Sequence, residues 1–473
     1  MMKSMISPRS DCGAISADNL SRPHPKELYF ALLEDQPHGS TLEQSKRFLY
    51  QQLNRVESMT SDLPPKVEGL MDWMRSNTAS VGEQYRDYIT QRRSGKGLSY
   101  FPTKSHALHF LKGVAPTKLV DGAWLYGLVS QWRDPRYDEL IQIYLEELGE
   151  GDAEKNHVLI YKKLLATHEC TQWENLPESN FIQGAIQLSL AQHASEFLPE
   201  IIGFNLGYEQ LPLHLLICAY ELAEWDIDPY YFTLHVTIDN AATGHAARAV
   251  QAVIDAMPHL GDKDSFYQRV RNGYQLNSLG ASTTQIIAEF DLEQELLDVL
   301  ATKAVTGSQL HSDYCRIGGK TVNEWLAAPK QIHEFAEILV NKGWVRRNEP
   351  PNNSRFWNLL VGEKGAMFGV FNAYELQIIY DWIAGESLQV PTSMNRRYRN
   401  RRQSPDSTSQ DICEGKAYSD EFSAESDLLT DKLAHAPDKN AFMDLLVPWL
   451  SPIYHHTPLG LMATRIFTQR LRT

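Results

Sequence analysis

The chain has 473 residues, 42% of them hydrophobic, and a formal net charge of −14 at pH 7. That length supplies ample chain for a sizeable core and a prior of roughly three domains. The net negative charge argues against a general binder of nucleic acid or anionic membranes, and no apolar run approaches the ~18 residues of a membrane helix.

The cysteines (Cys12, Cys170, Cys218, Cys315, Cys413) are odd in number, scattered and free of C-x-x-C spacing. They read as reduced thiols of a cytoplasmic protein rather than as disulfides, clusters or a zinc site. Residues 1–25 are polar, carry Pro23 and Pro25, lack a signal-peptide core and are expected to be disordered. From 26 to 100 the apolar spacing is helical, as in Lys26-Glu-Leu-Tyr-Phe-Ala-Leu-Leu33, and predicts an N-terminal helical region that packs on the body.

Residues 101–300 are expected to form that body. Ala107 to Trp132 is rich in apolar residues and holds Asp121 beside Gly122, which by itself reads as a helix-terminal Asp. Next comes a helix carrying Glu147, then Gly149 and Gly151, then a new apolar run from His157. An unbroken helix would set Glu147 and His157 roughly 80° apart, whereas a glycine break lets them converge. Further on, Pro199 is expected to start a helix with Glu200 facing inward beside Ile201 and Ile202. Glu196 competes with Glu200 as the third candidate ligand of this stretch.

The most telling stretch is Tyr231-Phe-Thr-Leu-His235-Val-Thr-Ile-Asp239-Asn-Ala-Ala-Thr-Gly-His245. His235 and Asp239 are spaced i, i+4 and share one helix face. Imidazoles and a carboxylate crowded into an apolar segment are costly to bury unless something coordinates them. A metal would do so; a hydrogen-bonded His–Asp pair in a core, with His245 at the surface, is the alternative that these residues leave open. Mixed imidazole and carboxylate donors suit iron or manganese better than zinc, and helical bundles commonly host such sites. His106, His109 and His193 read as hydrogen-bonded core or rim histidines. Tyr230 and Tyr231 read as core aromatics, and Glu209, Glu221 and Glu224 as solvated or helix-terminal charges.

The order Glu147, His157, Glu200, then a His-x3-Asp helix with a further His, resembles the haem-oxygenase-like non-haem diiron enzymes, also described as iron-containing redox enzymes. The resemblance covers about residues 100–260. It implies a mainly α, haem-oxygenase-like helical bundle that binds Fe(II)/Fe(III), two ions per chain, and uses O2 as co-substrate. The implied ligands are Glu147, His157, Glu200, His235, Asp239 and His245, with Asp121 as an additional acid. One departure stands out. The family pattern has its last His three residues after the Asp, where this chain has Ala242, and His245 follows Asp239 by six. A kink or π-bulge at Gly244 would let His245 reach the metals from the next turn.

Beyond the body, 301–385 reads as a small α+β module, winged-helix-like in outline. A helical run at Gln331–Val340 precedes β-like runs at Gly343–Arg347 and Ser354–Val361, joined by Pro350-Pro-Asn-Asn353. Without a basic surface it is expected to cover the active site or build a subunit contact rather than bind DNA. Residues 386–440 read as a flexible linker with the arginine-rich run Arg396–Arg402, and 441–473 as a C-terminal helix docking on the body. His455 and His456 are adjacent and point apart, which makes them weak ligand candidates.

The resulting expectation is a metal-dependent oxidase or oxygenase of specialised metabolite biosynthesis acting on a small amine or amino-acid-like molecule. N-oxygenation is the first choice, and oxidative C–C cleavage or desaturation the alternative. An external electron donor and a homodimer are compatible with it; nucleic acid and membrane partners are not expected. From another class, a non-catalytic binding protein could keep the same fold.

Overall fold

The computed structural model describes residues 24–238, 244–312, 314–327, 331–362, 365–388 and 419–472. The chain is mainly α. Strand pairing among the described residues is a two-residue antiparallel ladder, Arg316–Ile317 against Lys320–Thr321. Local chemistry starts many of the helices. Thr103 caps Lys104–Lys118 by accepting from the His106 N–H at 3.1 Å, and Asn156 caps His157–Thr167 by accepting from Leu159 at 3.0 Å. Ser282, Thr321 and Asn372 each form a reciprocal capping box.

The helices bury their apolar faces in two hydrophobic clusters. One joins the N-terminal helices Pro25–Leu32 and Gly39–Val56 to Asp138–Glu147, Glu178–Gln192, Leu198–Tyr208, His245–Ala256 and the C-terminal helix Pro458–Leu471. The other joins Lys104–Lys118, His157–Thr167, Leu213–Glu224 and Tyr230–Ile238 to the helices between 283 and 384. The tightest crossing is Leu198–Tyr208 on Lys263–Gln275. A Cβ at Gly203 would lie 1.8 Å from the Val270 carbonyl oxygen, and one at Gly273 only 2.1 Å from that of Glu200. Only glycine admits this backbone approach.

Residues 301–385 hold that two-residue ladder among helices, but not the strands expected at 343–347 and 354–361. The run Arg355–Leu360 is a helix, and 344–347 pair with no strand. Phe356 and Trp357 are buried in the second cluster together with Tyr374, Ile378 and Trp382 of the helix Ala373–Ala384. That tertiary burial overrides the strand propensity of the two aromatic residues. The arginine-rich run Arg396–Arg402 and most of 1–25 lie outside the described residues.

Of the acids expected to be solvated or helix-terminal, Glu221 is held inside, whereas Glu224 is the half-buried last residue of the helix Leu213–Glu224. Glu221 is fully buried, accepting from the Tyr88 hydroxyl and the backbone N–H groups of Ser99, Tyr100 and Phe101, so it anchors that loop. Glu224 pairs with the buried Arg92 at 3.5 Å. No helix among the described residues is long and apolar enough to cross a membrane.

Candidate metal centre

Five separate chain segments converge on one buried cluster. Asp121 sits in the turn after Lys104–Lys118, where Gly122 at φ 79° reverses the chain. Glu147 ends one helix and His157 begins the next. Glu209 caps the C-terminus of Leu198–Tyr208, His235 lies in Tyr230–Ile238, and His245 begins His245–Ala256. All six side chains are buried.

The loop between Glu147 and His157 brings them together. Gly149, Glu150 and Gly151 take φ of 65°, 50° and 83°, three left-handed residues in succession. A Cβ at Gly149 would lie 2.5 Å from the Asn156 nitrogen, so glycine is required there for conformation and for space. The turn that results sets His157 Nδ1 in contact with Glu147 Oε2.

The donors form two groups that share Glu147. In the first, ligand atoms of Asp121, Glu147, His157 and His235 lie within 4.8 Å of one another; in the second, those of Glu147, Glu209 and His245 do. Asp121 Oδ2 is 3.4 Å from His235 Nε2 and 3.9 Å from His157 Nδ1. His245 Nδ1 is 3.1 Å from Glu209 Oε2 and 3.4 Å from Glu147 Oε1. The two Glu147 oxygens therefore face different imidazoles.

Neighbouring groups aim these side chains. His235 Nδ1 lies 2.8 Å from the Tyr231 carbonyl oxygen, which can only accept, so Nδ1 carries a proton and Nε2 is the atom turned toward Asp121. Asp121 accepts from the Tyr208 hydroxyl at 2.6 Å and from the Tyr231 hydroxyl. Lys118 donates to the Tyr208 oxygen at 3.0 Å. His245 Nε2 meets Glu146 Oε2 at 2.8 Å, and Arg248 grips both oxygens of Glu146.

Electrostatically the cluster is rich in carboxylate. Burial alone would raise the Glu147 pKa, but His157 and His245 hold it well below the usual range. Asp121 is likewise held at about 2, burial being overcome by Lys118 and His235. Glu209 goes the other way: burial and the Glu147 charge outweigh His245 and raise it. For His245, burial is overcome by Glu209, Glu146 and Glu147, and the imidazole is pushed up to about 12.

The donor set fits a hard or borderline cation. His235 Nε2 and Glu209 Oε1 are buried and have no hydrogen-bond partner, while His157 Nδ1 and Glu147 Oε2 have only each other. Each unpartnered buried polar atom costs about 1–3 kcal/mol, a cost that a coordinated cation removes. Oxygen and imidazole donors without thiolate favour iron or manganese.

Residues 108–278 match the iron-containing redox enzyme family. The matched span holds Asp121, Glu147, His157, Glu209, His235 and His245, and the mainly α architecture agrees with a haem-oxygenase-like fold. No curated protein and no solved structure gives a match. Family and cluster together support an iron-dependent oxidoreductase.

Measured against the sequence expectation, the structure brings Glu147, His157, His235, His245 and the additional acid Asp121 together. It does not bring Glu200. That carboxylate faces the other way, into a two-pronged ion pair with Arg269 at 2.6 Å for each oxygen. Glu196, its competitor, pairs at the surface with Lys46. The acid in the cluster is instead Glu209, read from the sequence as a solvated or helix-terminal charge; it is helix-terminal, but buried. Asp239 and Ala242 lie outside the described residues. Gly244 is extended (φ −84°, ψ −170°), so His245 opens a helix of its own and Gly244 forms no π-bulge within a continuous one.

The other three histidines weighed from the sequence as core or rim residues have ordinary partners. His106 Nε2 bonds the Ile287 carbonyl, His109 faces Glu295, and His193 bonds Ser45 and Leu42. Tyr230 is exposed, while Tyr231 is buried against Asp121.

Proposed function

We propose that this protein is a non-haem diiron, O2-dependent oxidase or oxygenase of a small amine or amino-acid-like metabolite. The observation that carries the reading is Glu147, whose two oxygens serve two different groups of donors. One iron would be held by Asp121, Glu147, His157 and His235, and the other by Glu147, Glu209 and His245. Bound as a pair, ferrous ions supply the electrons that reduce O2.

The chain's own residues set the conditions. The hydroxyls of Tyr208 and Tyr231 hold Asp121 in one orientation, and the Tyr231 carbonyl fixes the tautomer of His235. Glu146, braced by Arg248, holds the Nε2–H of His245 so that Nδ1 faces Glu147 and Glu209. Behind these groups the fully buried Tyr161 packs edge-on against Tyr231, and the fully buried Phe204 stacks on Tyr208. N-oxygenation is the first reaction to test, on the strength of the family resemblance; C–C cleavage or desaturation by the same site is the alternative.

The test is anaerobic loading with Fe(II), mixing with O2 in a stopped-flow spectrometer, and product analysis with candidate amines and amino acids. Substrate-dependent O2 consumption and N–O products support the proposal. O2 consumption no faster than that of free Fe(II), with no product from any candidate, overturns it.

A further inference from the structure

The loop that carries Glu147 and His157 is not held by local preference alone. Its three consecutive left-handed residues include Glu150, for which that conformation is unfavourable. The end of the chain holds it. Tyr144, one turn before Glu147, donates to the Leu450 carbonyl oxygen at 2.5 Å. Arg465 donates to the Gly151 carbonyl oxygen at 2.9 Å, and Gly151 lies so close to this helix that a Cβ would sit 2.4 Å from the Leu461 carbonyl oxygen.

The central link is Asn156, which is fully buried. Its Oδ1 accepts from Leu159 and so caps the helix whose first residue is His157. Its amide nitrogen donates to the Leu148 carbonyl oxygen at 3.2 Å and to His455 Nδ1 at 3.0 Å. One side chain thus ties the residue after Glu147, the residue before His157 and the C-terminal segment. His455 is itself buried, and burial, with His456 and Lys162 nearby, holds its pKa far below the usual range. A neutral ring keeps the Nδ1 lone pair that Asn156 needs.

We infer that the segment 443–472 tunes the metal centre, with His455, through Asn156, positioning Glu147 and His157 for iron. The inference rests on the reading of the cluster as an iron site. Docking of the segment and binding of iron then favour one another by equal factors in both directions.

The experiment uses the full chain, titrated anaerobically with Fe(II), with hydrogen–deuterium exchange followed over 443–472. His455→Phe keeps an aromatic ring but removes the acceptor, and Fe(II) should bind about tenfold more weakly or worse. His455→Gln restores an acceptor oxygen and should recover most of the affinity. Fe(II) should slow exchange across 443–472 in the wild type and much less in His455→Phe. Should His455→Phe fail to fold, Asn156→Asp, which keeps the cap oxygen and loses the amide donor, carries the same test with the same expected loss. Wild-type affinity in the folded variant, together with exchange indifferent to Fe(II), overturns this inference alone. A wild-type chain that binds no Fe(II) overturns the metal reading, and this inference with it.

Discussion

His245 holds its Nδ1 3.1 Å from a carboxylate oxygen of Glu209, although the two residues stand 36 positions apart and end different helices. The contact joins the C-terminus of Leu198–Tyr208 to the N-terminus of His245–Ala256, and both residues are buried. It supplies a second group of donors beside the Asp121, Glu147, His157 and His235 group, with Glu147 common to both.

The first prediction separates Glu209 from Glu200. Glu209→Ala should lower bound iron from about two per chain to about one, the number expected when one half of a paired site loses its carboxylate. Glu200→Ala should keep its iron and lose about 1–2 kcal/mol of stability, the usual scale for a charge-assisted bond lost at a partly exposed partner, since Arg269 stays partly hydrated. Elemental analysis and chemical denaturation read the two effects, and iron loss in Glu200→Ala with retention in Glu209→Ala would reverse the assignment.

These two acids also show what the sequence could and could not reveal. Glu147 and His157 were legible because a glycine pair between two apolar helical runs has few uses other than a sharp turn, and that turn is present. Glu200 had the right spacing and an apolar flank, but Arg269, 69 residues later, captures it. Glu209 follows Tyr208 at a helix end, where an acid ordinarily reaches water; here it is buried against His245 and Glu147. The segment Ser354–Val361 failed for a related reason: strand propensity is local, while the second hydrophobic cluster that makes part of it helical is assembled from residues as distant in the chain as Phe101.

A second prediction concerns Tyr231. Tyr231→Phe keeps the ring and the backbone carbonyl that fixes His235, and removes only the hydroxyl donated to Asp121. Loss of such an outer partner typically weakens metal binding by about 10–100-fold. Anaerobic Fe(II) titration should show a loss in that range, and unchanged affinity would remove Tyr231 from the support of Asp121.

The third concerns pH. Glu295 accepts from the Tyr374 hydroxyl at 2.7 Å and pairs with Lys112 and His109. Burial alone would raise its pKa, but His109 and Lys112 prevail and hold it at about 2, against an ordinary value of 4.5. A carboxylate depressed on folding adds stability above its unfolded pKa and loses it as pH falls. Its contribution should therefore fade between about pH 4.5 and 2, and Glu295→Gln should flatten the stability curve across that window. An unchanged slope in urea denaturation at several pH values would contradict this.

The fourth tests the close helix crossing. Gly203→Ala places a methyl group against the Val270 carbonyl, where no side chain can move aside. Overpacking of this kind costs about 1–3 kcal/mol or more. A drop in melting temperature of several degrees is expected, and full wild-type stability would show that the two helices can separate freely.

The central claim is that a single carboxylate, Glu147, serves two iron positions. Its most direct test is Mössbauer spectroscopy with iron quantification on anaerobically 57Fe(II)-loaded wild type and Glu147→Ala. The account predicts about two ferrous ions per chain in the wild type and loss of both in Glu147→Ala, with the fold retained by circular dichroism. A folded Glu147→Ala chain that binds as much iron as the wild type, in the same spectroscopic sites, would contradict it.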